Sequence, residues 1–260
     1  MSIDLEIEAA ERTAAARAIF AKLDDEGYVN LPVLSGADLC MLGGPKQPFF
    51  WEPLAAEWLS LRPRARNGYI QARTKGMIED GRLIEITPGD GHRLDARYAV
   101  SPELGILLAA RSRPTFVIAS HFSSRLAPLS LFAVGDEIEP VRGVVMAVPV
   151  VPPDKAGKSS KPSLTSEVFD HILTTTAHAA EFLADRVIGS APTKTPFQKQ
   201  PPRFVSLFRP GTGPTPVAEL AVLGNGTTAR VTGQGIDGEF DMVALRAIML
   251  DLLGRGTRPV

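Results

Sequence analysis

From Glu8 to Leu23 apolar and small residues recur one helical turn apart (Ala10, Ala14 and Ala18, then Ile19 and Leu23), which predicts an amphipathic helix stopped by Asp24-Asp25-Glu26-Gly27. Residues 28–35 read as a short extended segment. Residues 43–53 carry Gly43, Gly44, Pro45, Pro48 and Pro53, enough breakers to predict a loop. A helix is expected over 67–80, closed by Gly81. Two alternating runs, 82–87 and 93–100, flank the turn cluster Pro88-Gly-Asp-Gly-His92 and predict a β-hairpin at 82–100. Ser101-Pro102-Glu103 has the cap and first-turn proline of a helix start, running on to Arg111.

From Arg113 the period shortens to that of strands. Segments 115–120, 129–134, 137–141 and 144–150, punctuated by Pro128, Gly135-Asp136 and Arg142-Gly143, predict a four-stranded antiparallel meander. A Pro/Lys/Ser-rich loop covers 152–162. A long helix over 165–188 is expected from Val168, Ile172, Phe182, Leu183 and Val187. A second Lys/Pro loop at 191–202 leads to strands 204–208, 217–223 and 227–232, then a helix at 240–253.

The order predicts an α+β protein with a mainly antiparallel central sheet flanked by helices. A helical N-terminal part (1–112) with its hairpin is expected to pack as one compact unit with the sheet and long helices of 113–260. Arg113-Pro-Thr-Phe-Val-Ile-Ala and Pro202-Arg-Phe-Val-Ser-Leu-Phe each open a meander lying next to a long helix, so the halves echo each other as a quasi-two-fold repeat.

Charge changes this picture locally. The 28 basic and 29 acidic residues leave a net charge of −1, too little for a global field that would hold nucleic acid or an anionic membrane. Residues 1–60 carry 4 basic and 10 acidic side chains, and 61–125 carry 11 and 6, so a basic segment follows an acidic one. Cys40, the single cysteine, sits among Leu39, Met41 and Leu42 and reads as a small core residue in a reducing compartment. Met1 to Glu11 is acidic where an export signal would be basic and then apolar, and the longest apolar run, 144–151, is too short to cross a bilayer. A cytoplasmic location without a membrane span is therefore expected. Asn225-Gly226-Thr227 fits a sequon but is first a turn.

Motifs for chemistry are sparse. Gly157-Lys158-Ser159 lacks the first glycine of a phosphate loop, Pro152 standing there without an N–H. His171 and His178 would share one face of the expected helix, with Glu181 nearby, but seven residues put them roughly 10 Å apart along the axis, too far to hold one metal. His121 beside Ser120 has no nucleophile elbow around it. No catalytic residue, metal or cofactor is predicted. Phe49, Phe50, Trp51 and Phe197, on two loops, are candidate contacts for a protein partner if exposed, or satellite core if tucked under. Arg64, Arg66, Arg73 and Lys75 with Arg93 on the hairpin form the alternative, a winged-helix-like surface for DNA phosphates. A solvated helix face is the plainer account of the same residues.

Several short stretches resemble the EspG family, cytosolic chaperones of type VII (ESX) secretion in actinobacteria. They are Lys75-Gly-Met-Ile-Glu-Asp-Gly-Arg82, the segment Ser101-Pro-Glu-Leu-Gly-Ile-Leu-Leu-Ala-Ala-Arg-Ser-Arg-Pro114, the meander ending in Pro-Val-Val-Pro-Pro, Pro202-Arg-Phe-Val-Ser-Leu-Phe208, and the last strand pair and helix. The family's aromatic and Asp-Thr residues near the last meander are replaced by Phe208-Arg-Pro-Gly-Thr. The resemblance implies a quasi-two-fold sheet flanked by helices and a non-enzymatic task, binding a helical secretion client.

Overall fold

The computed structural model describes residues 4–5, 9–47, 52–86, 97–121, 128–135, 139–150, 163–189, 202–211 and 215–257. The chain divides into two compact units, one made of Met1–Ser112 with Pro149–His171 and the other of Arg113–Val148 with Ile172–Val260.

The first unit runs β1 (Asp4–Leu5), α1 (Ala9–Glu26), β2 (Tyr28–Ser35), α2 (Gly36–Gly43), α3 (Glu52–Ser60), α4 (Pro63–Glu79), β3 (Leu83–Ile86), β4 (Arg97–Val100) and α5 (Pro102–Ser112). Strands β3 and β4 pair antiparallel, Leu83 opposite Val100, and β1 adds in parallel beside β4. The expected hairpin therefore forms; its tip lies outside the described residues. Ser35 caps α2 by a reciprocal box, its Oγ accepting from Asp38 N while Asp38 Oδ2 accepts from Ser35 N. Ser101 Oγ accepts from Leu104 N and starts α5 in the same manner, with Pro102 at its first position. The expected loop over 43–53 is corrected at its end, because Pro53 stands in the first turn of α3, where a missing N–H costs nothing. Phe20, Leu23, Leu39, Met41, Leu54, Trp58, Met77 and Leu104 fill the core.

Residues 163–171 return to this unit. Gly36 N and Ala37 N donate to Glu167 O and Leu164 O, and Leu164 N donates to Glu57 Oε2 at 2.9 Å. Here the expected helix over 165–188 is corrected. Val168–Thr174 is a strand, β8, and only Thr176–Ile188 is helical, as α6. Phe169, His171 and Leu173 are buried in alternation, a period of two, and the run Thr174-Thr175-Thr176 of branched side chains carries the change to helix, Thr175 capping α6 through its hydroxyl.

The second unit contains β5 (Val117–His121), β6 (Leu129–Val134), β7 (Gly143–Val150, as far as Val148), α6, β9 (Arg203–Phe208), β10 (Ala218–Gly224), β11 (Ala229–Gly233), β12 (Ile236–Phe240) and α7 (Met242–Thr257). The expected strand at 137–141 does not form over its described residues, 139–141, which belong to the β6–β7 connection. The carbonyl of Glu139 folds back tightly against Gly135, where a Cβ would meet the main chain. Neighbouring strands pair antiparallel, with Leu131 opposite Met146, Ala221 opposite Thr232 and Val231 opposite Gly238. The two meanders join through β5 and β9, Ala119 opposite Ser206. Phe116, Ile118, Leu131, Leu183, Leu207, Val231, Leu245 and Met249 pack into one core between this sheet and the helices α6 and α7.

In order of hydrogen-bonded neighbours the strands of the second unit read β12-β11-β10-β9-β5-β6-β7, a large mainly antiparallel sheet flanked by the helices α6 and α7. The protein is thus mixed α+β. Among the described residues, no helix is long and apolar enough to cross a membrane.

Candidate functional site

One buried polar group of the first unit is built on Asp38. Ser35 and Asp38 are fixed by the α2 cap, and α4 lays Tyr69 and Arg73, four residues apart, over them. Arg73 Nε and Nη2 donate to Asp38 Oδ1 and Oδ2 at 2.7 and 3.0 Å, a two-point ion pair, and Tyr69 OH donates to Oδ1 at 2.9 Å. Asp38 is only 2% exposed. Burial opposes its ionisation, but Arg73, Ser35 and Tyr69 outweigh that cost and hold the carboxyl below its ordinary value. Burial likewise pushes the Tyr69 hydroxyl up to about 12, so it stays a donor. Every acceptor position of the carboxylate that these donors reach is used, which makes the group a clasp between α2 and α4.

A second buried group gathers Cys40, Arg111 and His171. Arg111 Nε donates to Gln47 Oε1 at 3.3 Å, and burial lowers its pKa only to about 10, so the guanidinium remains charged at neutral pH. The Cys40 thiol is pushed up to about 12 by burial, with Arg111 opposing and Glu57 adding to the rise. It is a neutral thiol at physiological pH and no nucleophile. His171 Nδ1–H donates to Pro32 O at 3.0 Å, and its buried Nε2 has no hydrogen-bond partner among the described residues. Burial first, and the Arg111 charge second, push this imidazole down to about 3.

That depression predicts an acid-sensitive fold. Between the ordinary value of 6.5 and about 3 the unfolded chain takes up a proton that folded His171 refuses, so stability falls as pH drops through this window. The loss by pH 5 is about 2 kcal/mol. Denaturant midpoints measured from pH 7 to pH 5 should decline in the natural chain and decline less in His171→Gln; equal slopes would show that His171 is not the group responsible.

Among the described residues, His121, His171 and His178 do not assemble into a catalytic set. His171 is on β8 and His178 is exposed in the first turn of α6, so the shared helix face expected for them is absent. His121 ends β5, its ring 6.0 Å from that of Phe204. Among the described residues no cluster of three His, Cys, Asp or Glu side chains could hold a metal.

The basic residues proposed for phosphate contact are split by α4. Arg73 faces inward to Asp38. Arg66 lies over Trp58, 5.8 Å from the ring centroid, and donates to Leu61 O at 3.1 Å. Arg64 is exposed, and exposed Lys75 sits 3.8 Å from Glu79. Arg93 lies outside the described residues, as do Phe49, Phe50, Trp51 and Phe197. The Asp38 clasp was missed in the sequence, although Ser35-x-x-Asp38 before an apolar run is a readable cap signal. No protein-family model, curated protein or solved structure matches this chain.

Proposed function

We propose that this protein is a non-enzymatic chaperone or adaptor that recognises a helical protein partner in the cytoplasm, a type VII secretion client as the EspG resemblance implies. The observation that supports the reading is the path of the chain. It runs β5-β6-β7-β8-α6 and then β9-β10-β11-β12-α7, the same meander-plus-helix order twice, with the halves meeting at the β5–β9 ladder. Such a repeated frame is what the resemblance calls for, and the one free cysteine and the neutral buried histidine have the character of core groups. The DNA-binding alternative is weakened by Arg66 and Arg73, whose guanidinium groups are spent within the fold.

The test is affinity capture of the tagged chain from its native cells, identification of any stoichiometric companion, and reconstitution of the pair from purified components. A small helical protein forming a complex of defined mass by light scattering is expected. Purification without such a companion, or a salt-dependent complex with duplex DNA in its place, would overturn the reading.

A further inference from the structure

Helix α4 presents a face that its own fold leaves open. It has no acidic residue between Pro63 and Ile78. Among its exposed residues, Arg64, Gly68, Gln71, Ala72 and Lys75 follow one another at i, i+4, i+7, i+8 and i+11, a single line along the helix. Arg64 and Lys75 stand at the ends of that line, roughly 16 Å apart along the axis. Exposed Arg62 adds a third cation just before the first turn. Among the described residues, Lys75 is held only by an exposed pair with Glu79 at 3.8 Å, which water or another carboxylate readily exchanges. The inward arginines, Arg66 and Arg73, are occupied elsewhere, so the outward charge is separate from the Asp38 clasp.

We propose that this face of α4 is the seat for an acidic helix of the protein partner, with carboxylates of that helix meeting Arg64 and Lys75. The argument is charge complementarity with spacing. The cations sit three turns apart, a distance a second helix matches with its own acidic residues three turns apart, and Gly68 and Ala72 between them leave room for close approach of two helix axes. Duplex DNA fits less well. Arg62, Arg64 and Lys75 are few against the roughly 6–10 phosphates a duplex binder neutralises, and Glu79 and Asp80 close the far end of the helix with negative charge. This inference rests on the adaptor reading and assigns the surface by which it would act.

The probe is a fluorescein-labelled synthetic helical peptide carrying Glu residues three turns apart, with the Gln version as its control, titrated by anisotropy with the full chain. The Glu peptide is expected to bind more tightly than the Gln peptide, to weaken with added salt, and to lose roughly tenfold in affinity against the Arg64→Glu/Lys75→Glu variant. Both side chains are exposed, so the variant's melting curve should match that of the natural chain. Equal binding of the two peptides, an unaffected double variant, or tighter binding of a random-sequence duplex would overturn the seat. Native-cell capture separates the two proposals. If the natural chain and the double variant recover the same helical companion equally, the adaptor reading stands and the seat falls. If neither recovers a companion while the Glu peptide still discriminates, the seat stands and the adaptor reading falls.

Discussion

Asp38→Ala is expected to destabilise the protein by about 3 kcal/mol, because it removes the carboxylate half of the α2 capping box, leaving Ser35 N without its acceptor, and the anion that the Arg73 guanidinium and the Tyr69 hydroxyl are arranged around. Arg73 is 37% exposed at its side chain and regains water, which keeps the loss below that of a fully buried broken pair. A fall of roughly 6–12 °C in the melting temperature should accompany it. Asp38→Asn keeps the shape and some of the hydrogen bonds, and should lose less. The charge itself is read by pH. Since the folded carboxyl is held below its ordinary 3.8, its contribution is complete above that value and disappears as pH falls through the folded one. This arm lies at lower pH than the onset of the His171 effect, so the two can be told apart. An Asp38→Ala chain melting with the natural one would mean that the clasp carries no net stability.

Gly224→Ala is expected to be of similar size, about 3 kcal/mol, from steric overlap. Gly224 ends β10 directly beneath the last turn of α6, and a Cβ there would press on the carbonyl oxygens of Val187 and Ile188, main-chain atoms that cannot swing aside. The contact is further pinned by Gly226 N donating to Ile188 O at 2.8 Å, and by the Asn225 side chain, whose Oδ1 accepts from Thr227 N and Thr228 N. Gly254→Ala makes the contrast. It lies inside α7 with no atom within reach of the new methyl, so it should gain about 1 kcal/mol by helix propensity. Chemical denaturation of the two variants should move in opposite directions; a loss in both would point to backbone rather than contact effects.

Much of the second unit was legible in the chain, since β5, β6, β7, β9, β10 and β11 follow apolar runs bounded by Gly and Pro, and Asn225-Gly226 does mark a turn. Strand β8 was hidden because one of its inward positions is His171, a polar residue that spoils the alternation, while Val168 and Ile172 happen to fit a helical spacing. Strand β12 was hidden because Asp237 and Glu239 leave it mostly solvent-facing and Gly238 reads as a turn residue. Helix α3 is obscured because Pro53, a breaker inside a helix, stands in its first turn, where the missing N–H has no partner to lose. The basic segment was visible as composition, but which arginines face outward depends on Asp38 from α2 and Trp58 from α3, partners 35 and 8 residues away that no local pattern names.

Strand β2 and its neighbour β8 are joined by the bond between Pro32 and His171 across 139 residues of chain, which sets an order on folding. Helices α1 to α5 and the β3–β4 pair can close on local contacts as the chain leaves the ribosome, whereas β2 must wait until nearly two thirds of the sequence has been made. Through that interval its edge is open, with Tyr28 and Val33 among its exposed side chains in the finished fold. Pro32, in the middle of that strand, has no N–H to offer a foreign strand.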